Sequence, residues 1–357
     1  MKIAVNTGGG DAPGLNAVVR GIVLAAHEKK WDVYGIKYGY QGLIDTKQIV
    51  HLTPEYVWDI TNIGGTILGT AVRGDPFRYP VKEPDGRIVQ TDISDTVVSN
   101  FKALGFDALI AIGGDGSLHI LNKFMKKGIP VIGVPKTIDN DISATDVTFG
   151  FDTAVNTATE AIDKLHTTAR SHDRVMVVEV MGRYVGWIAL YSGVSGSADV
   201  ILIPEIPFDI NKVCNKIRQL ELFGKNYAIA VVAEGAVPVG GDVTVIEEKP
   251  GEVRLGGIGK KVAEEIRDLT GKETRDIVLG HLQRGGAPTT FDRLLSLRFG
   301  VAAVRLVEEG RFGTMVALHA TEIKAVPIEE AIGRMKVVPL DSDIIQTARS
   351  LGISFGD

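Results

Sequence analysis

Residues 108–141, ALIAIGGDGSLHILNKFMKKGIPVIGVPKTIDND, decide the fold. The apolar runs over 108–112 and 131–134 are strand-length and do not alternate with polar residues, the pattern of strands buried on both faces. Between them, 118–127 has the spacing and length of a helix, punctuated by Gly113, Gly114 and Gly128. A strand, a helix and a second strand in so short a span predict a parallel crossover unit. The same grammar extends outward on both sides. Upstream lie a helix over 94–104 and, earlier, a strand over 3–5, a Gly-rich turn and a helix over 16–29. Downstream, helices are expected over 153–169, 185–192, 211–223 and 258–269, alternating with strands over 175–179, 200–203, 229–233 and 277–279.

The sequence therefore predicts an α/β protein of two doubly wound, Rossmann-like α/β/α lobes with mostly parallel sheets, the segment 140–150 separating the two series. A length of 357 residues agrees, since single cores stop growing near about 250–300 residues. In open parallel sheets ligands sit beyond the carboxyl ends of the strands, and nearly every Gly-rich or polar cluster here follows a strand. The clusters are expected to converge on one active-site cleft between the lobes.

Composition narrows the partners. The 39 Lys and Arg against 44 Asp and Glu give a net charge of −5, which lacks the polycationic signature of a nucleic-acid or anionic-membrane binder. No apolar run approaches the roughly 18 residues of a membrane helix. The single cysteine, Cys214, excludes an internal disulfide, and the N-terminal stretch lacks the pattern of a secretion signal; a reducing, cytoplasmic setting is expected. The 42 glycines amount to about 12% of the chain against a usual ~7%, without periodicity, and mark tight turns and close backbone approach.

Three strand-to-helix turns carry the chemistry. The turn containing Gly8, Gly9, Gly10 and Asp11 can hold an anion on its backbone N–H groups, or can be a plain structural turn; it matches neither GxxxxGK[ST] nor GxGxxG. In Gly113-Gly114-Asp115-Gly116-Ser117, glycine permits close approach of a phosphate donor and Asp115 is either a Mg²⁺ ligand or a helix cap. Lys136-Thr137-Ile138-Asp139-Asn140-Asp141 puts two further carboxylates after the next strand. With Ile112 and Val134 side by side, Asp115 would face Asp139 and Asp141, and acids so crowded raise one another's pKa unless cations intervene. Phosphoryl transfer to an alcohol needs a carboxylate base, a metal on the donor and positive groups over the moving phosphoryl. Arg174, Arg183, Arg275 and Arg284, each near a strand end, are candidate phosphate forks, with a surface salt bridge the alternative for any one of them. His281 is read either as a hydrogen-bonder to a sugar or as a buried structural histidine.

Taken together, GGDAPG, GGTILG, GGDGS, PKTIDND, SHDR, VMGR, ETR and HLQRGG resemble the 6-phosphofructokinase family, from Ile3 to about Gly310 and in family order. The resemblance implies Mg²⁺-dependent transfer of a phosphoryl group from ATP to the 1-hydroxyl of fructose 6-phosphate in glycolysis. Asp139 then resembles the base, Thr137 and Arg183 the groups that stabilise the transfer, Asp115 the magnesium residue and Asp141 a supporting carboxylate. Gly10, Tyr40, Arg73, Gly114, Gly116 and Ser117 match nucleotide positions, with Arg78 the substitute for Arg73 because Val72 interrupts the family pattern. Met181, Gly182, Glu234, His281 and Arg284 match sugar-phosphate contacts of the same subunit, while Arg174 and Arg275 match positions that reach in from a neighbour, implying a homotetramer or homodimer. The implied donor lobe is 1–150 plus about 283–335, and the fructose 6-phosphate lobe 151–282 plus about 336–357.

Donor choice is mixed in this chain. Pyrophosphate-dependent members carry aspartate in place of Gly116 and lysine at 136, whereas familiar bacterial ATP-dependent members carry glycine at both; here Gly116 accompanies Lys136. An aspartate at 116 would obstruct the nucleotide α-phosphate, so its absence favours ATP, with pyrophosphate or dual use as the alternative. A catalytically silent sensor of nucleotide or sugar phosphate is a third reading, opposed by the intact Asp115, Thr137, Asp139 and Arg183. At the family's effector positions Arg20 and Lys225 are kept but Leu24, Pro54, His166 and Phe223 replace the rest, so little activation by ADP is expected.

Overall fold

The structure is a computed structural model that describes residues 1–71, 74–249 and 252–357. The chain divides into two compact units, one of residues 1–152 and 284–335, the other of residues 153–283 and 336–357.

The first unit is built on a seven-stranded sheet in the order Glu322–Pro327, Thr314–His319, Val131–Pro135, Ala108–Gly113, Lys2–Thr7, Asp32–Ile36 and Ile49–Leu52. Its five inner strands run parallel, and an antiparallel strand closes each edge. Successive residues alternate between faces: Ile3, Val5, Ile110 and Ile112 pack into one cluster, Ala4, Leu109 and Ala111 into the other. Both faces are covered, which is why these strands read as continuous apolar runs. Helices Leu15–Glu28 and Thr290–Glu308 lie against each other on the first face. They approach at a glycine pair, where a Cβ on Gly300 would stand 2.4 Å from the Val18 carbonyl oxygen.

The second unit holds a four-stranded parallel sheet in the order Thr274–Val278, Val175–Val180, Ala228–Ala233 and Val200–Leu202. Helices Ile210–Leu222 and Ile258–Thr270 pack on the face made by Val175, Val177, Ala230 and Val232. The buried Glu179 carboxylate accepts the Gly257 and Gly259 N–H groups at 3.1 and 2.8 Å, satisfying donors at the start of the latter helix.

The parallel α/β architecture is as expected, but several elements differ, among them the unexpected strands Asp32–Ile36 and Ile49–Leu52. The strand expected over 277–279 runs Thr274–Val278; it is a sheet edge, so Arg275 and Asp276 stay exposed and apolar patterning does not mark it. The helix expected from 118 starts at Asp115, which places Asp115, Gly116 and Ser117 in its first turn. The long helix Thr290–Glu308 and the hairpin of Thr314–His319 with Glu322–Pro327 were outside the sequence expectation altogether.

Candidate active site

In the first unit three parallel strands end abreast. Thr7 pairs with Ile112, Ile112 with Val134 and Gly113 with Pro135, as the proposed adjacency of residues 112 and 134 requires. Two backbone bonds tie the turns that follow: Gly8 N–H to the Ile112 oxygen and Lys136 N–H to the Gly113 oxygen, each 2.9 Å. The three expected clusters are thereby brought together. Residue 113 must be glycine for this packing, because a Cβ there would lie 2.3 Å from the Ser117 Cβ.

Above these ends opens a cavity of about 450 Å³, lined by residues that include Gly10, Tyr40, Gly114, Gly116, Ser117 and Lys136. The first turn of helix Asp115–Lys126 presents its unbonded N–H groups beside it, and a helix start favours negative charge. Gly114, not Asp115, is the residue before that helix, and no side chain caps it, so the helix-cap reading of Asp115 is removed. Gly116 faces open space, with nothing within 4 Å of an added Cβ. Tyr40 is buried against Phe124, ring centroids 5.0 Å apart, and burial raises its phenol. Among the lining residues that escaped the sequence reading, His119 and Lys123 sit four and eight residues beyond Asp115, on the same face of one helix. The i+4 spacing from Asp115 was the signal available. His119 Nδ1 stands 3.4 Å from an Asp115 carboxylate oxygen. Arg73 lies outside the described residues, and Arg78 is exposed on the turn Pro76–Arg78.

Beneath the cavity lies a coupled group of charges. Lys136 is 4% exposed, and burial lowers its ammonium to about 8, Arg284 adding to the fall and Asp141, Asp139 and Asp11 opposing it. Burial lifts the Asp139 carboxyl to about 6; Asp141 adds to the rise, while Arg284 and Lys136 oppose it. Asp141 is raised too, first by burial and further by Asp115. One oxygen of each, Asp139 Oδ1 and Asp141 Oδ1, is buried without a hydrogen-bond partner. The loop is held by its own side chains: Asp139 N–H donates to Thr137 Oγ1 at 3.1 Å, and Thr148 Oγ1 donates to the Thr137 carbonyl at 2.8 Å. Arg284 arrives from a distant part of the chain and donates from Nη1 to the Asp11 carbonyl at 3.1 Å, beside Gly10.

These carboxylates suit a hydrated divalent cation shared with phosphate oxygens. Asp115 is half exposed, Asp141 has an orphaned buried oxygen, and Asp115 adds to the rise that burial gives Asp141, against the Thr137 hydrogen bond and Lys136. No group of three ligating side chains occurs among the described residues.

The second unit repeats the arrangement. Val180 pairs with Ala233, so Met181-Gly182-Arg183 and Glu234 leave neighbouring strands together. Glu234 N–H donates to the Val180 oxygen at 2.9 Å, and Gly235 N–H to the Gly182 oxygen at 3.1 Å. The Arg183 guanidinium lies 5.1 Å from the Tyr184 ring, its Nε buried without a partner. His281 is exposed on the turn Gly280–Arg284, which excludes its buried structural reading, and the buried Gln283 accepts the Met181 N–H at 3.3 Å. Arg174 and Arg275 both engage Glu273, Arg174 Nε at 2.8 Å; Arg275 lies on the edge strand Thr274–Val278, and Arg174 precedes the inner strand Val175–Val180 beside it.

Paired strand ends, a helix N-terminus over a cavity and a buried carboxylate beside two cations define an enzyme of phosphoryl transfer. A family model for phosphofructokinase matches residues 2–307, and the chain belongs to that family, phosphotransferases acting on a hydroxyl group. It is 51% identical to an ATP-dependent 6-phosphofructokinase of Clostridium perfringens, over 100% of this chain and 98% of that protein. It is also 50% identical to a pyrophosphate–fructose 6-phosphate 1-phosphotransferase of Streptomyces coelicolor, over 95% of this chain and 96% of that one. The phosphofructokinase of Pichia pastoris superposes with a TM-score of 0.80 at 31% identity, covering 99% of this chain and 37% of the yeast chain.

Proposed function

We propose that this chain is an ATP-dependent 6-phosphofructokinase that phosphorylates the 1-hydroxyl of fructose 6-phosphate, and that it acts in the cytoplasm in glycolysis. The observation that carries the reading is Asp139: a carboxylate with a buried, unpartnered oxygen, raised to about 6 and coupled to Lys136, which lines the donor cavity. Such a group is ionised at neutral pH yet basic enough to take a proton. The relatives named above support the acceptor, and full-length likeness to ATP-dependent enzymes supports the donor.

In this reading the cavity takes the donor phosphates on the first turn of helix Asp115–Lys126 and on the Gly9–Gly10 backbone. Lys136 and Arg284 balance the charge gathered around Asp139. Asp139 accepts the hydroxyl proton as the acceptor oxygen bonds to the γ-phosphorus and the bridging P–O bond of ATP breaks. Thr137, which fixes the Asp139 backbone, and Arg183 stabilise the transferring phosphoryl. Asp115, supported by Asp141, would hold Mg²⁺, which supplies positive charge on the donor phosphates. Met181, Gly182, Glu234, His281 and Arg284 are assigned to the sugar phosphate. Arg174 and Arg275, which share Glu273, are assigned to a neighbouring copy's substrate in a homotetramer or homodimer.

Open space at Gly116 favours ATP, because nothing there crowds a nucleotide. Lys136 in the cavity wall, with the likeness to the Streptomyces enzyme, keeps pyrophosphate as the second reading. Incubation with ATP, Mg²⁺ and fructose 6-phosphate, followed by ³¹P NMR of the product, tests the reading. It predicts fructose 1,6-bisphosphate; phosphorylation at another hydroxyl, or none, contradicts it.

A further inference from the structure

A second basic trough lies in the first unit between helix Thr290–Glu308 and the edge hairpin of Thr314–His319 with Glu322–Pro327. Two cavities there, of about 490 and 530 Å³, share Ala302, Arg305 and Ile323 as walls and so adjoin. None of their lining residues lines the donor cavity. Each has the size of a site for a small organic molecule, typically about 300–1,000 Å³.

The lining is segregated. The floor is apolar, formed by Leu306, Val316, Ile323 and Ala325, with Val301 half exposed at one end. The walls hold four cations, Arg298, Arg305, Arg311 and Lys324, against two acids, Glu309 and Glu322. This excess of positive charge stands on a chain whose net charge is −5. The acids neutralise it weakly: Glu309 is shared between Arg305 at 4.0 Å and Arg311 at 3.8 Å, and Glu322 lies 3.5 Å from Lys324. These separations are at the outer limit of ion pairing, beyond hydrogen-bond reach for the two guanidinium groups. Arg298 is committed, donating to the Thr321 carbonyl at 2.6 Å, and so shapes the trough's end. Arg305 and Arg311 are left facing one cavity, and a pair of guanidinium forks suits the oxygens of a phosphate.

We propose that this trough binds a small organic phosphate, its phosphate held by Arg305, Arg311 and Lys324 and its apolar body seated on the partly exposed Ile323 and Ala325. The apolar floor separates this ligand from a bare anion: inorganic phosphate would gain the charge contacts but bury no apolar surface.

Phenyl phosphate is the probe, titrated calorimetrically into the full chain and into three variants whose folding is checked by thermal melting. The proposal expects binding that added salt weakens, about tenfold weaker in Arg305→Ala/Arg311→Ala and unchanged within about twofold in Lys136→Met, which alters only the donor cavity. Lys324→Glu, on the exposed edge strand, should show the same loss and serves if the double variant does not fold. Inorganic phosphate should bind more weakly than phenyl phosphate. Absence of binding to the unaltered chain, loss in Lys136→Met with retention in the trough variants, or equal affinity for inorganic phosphate would each overturn the proposal.

Discussion

Replacing Asp139 by serine removes the proton acceptor while leaving a small polar side chain on a loop fixed by Thr137 and Thr148. A positioned general base contributes about 10²–10⁴ in rate, so kcat should fall by that range, or ~3–5 kcal/mol of barrier, with KM for fructose 6-phosphate little changed. The structure also sets the pH dependence. With the carboxyl near 6, about nine-tenths is ionised at pH 7 and about one-tenth at pH 5, so turnover should fall about tenfold between them. Asp141 contributes to that rise, so Asp141→Asn should move the midpoint below 6. Initial rates of ADP release, measured from pH 5 to 8 for the three proteins, give both quantities. Turnover in Asp139→Ser within tenfold of the parent, or an acid limb that survives the substitution, would refute the assignment of the base.

Stability should move the opposite way. Because the folded state raises the Asp139 carboxyl above its usual 3.8, the fold is penalised where the group is ionised, and the penalty disappears as pH falls through 6 toward 4. Asp139→Asn should therefore melt higher at pH 7.5, by on the order of 1–2 kcal/mol, with no gain at pH 4; calorimetric melting checks the sign. Lys136 loses its charge above about 8, so KM for the phosphoryl donor should rise above that pH and the rise should vanish in Lys136→Met. Gly116→Asp should fold normally, since an added Cβ meets nothing within 4 Å, yet lose about tenfold or more in kcat/KM for ATP through repulsion with Asp115 and the donor phosphates. Arg275→Ala should raise KM for fructose 6-phosphate, and mixing its subunits with Asp139→Ser subunits should restore turnover if Arg275 serves a neighbour's site; no recovery would contradict the shared-site assignment. Lys225, paired with Asp199 at 2.5 Å, has no charge to spare for an effector phosphate, so millimolar ADP should leave the apparent affinity for fructose 6-phosphate unchanged in rate assays.

The parallel core was legible because strands covered on both faces need no polar alternation, and 108–112 and 131–134 show that directly. Helix Thr290–Glu308 was not, because apolar Phe291, Leu294 and Val301 stand on its exposed face as well as Leu295 and Phe299 on its buried one, which blurs the helical period. The edge strand Thr274–Val278 was shifted because its side chains face out and follow no burial pattern. In the site, the adjacency of residues 112 and 134 followed from crossover rules, which place consecutive strands side by side. The meeting of Arg284 with the Asp11 carbonyl did not, since it joins residues 273 positions apart and depends on how the chain returns. His119 and Lys123 were missed because the helix was expected to begin at 118, which hid their common face with Asp115.

The most direct test of the account supplies ATP and pyrophosphate in parallel, at matched concentrations, with Mg²⁺ and fructose 6-phosphate, and measures fructose 1,6-bisphosphate formed. Turnover that depends on ATP is the predicted result; turnover with pyrophosphate alone would contradict it and place Lys136 above the open space at Gly116 as the determinant of the donor.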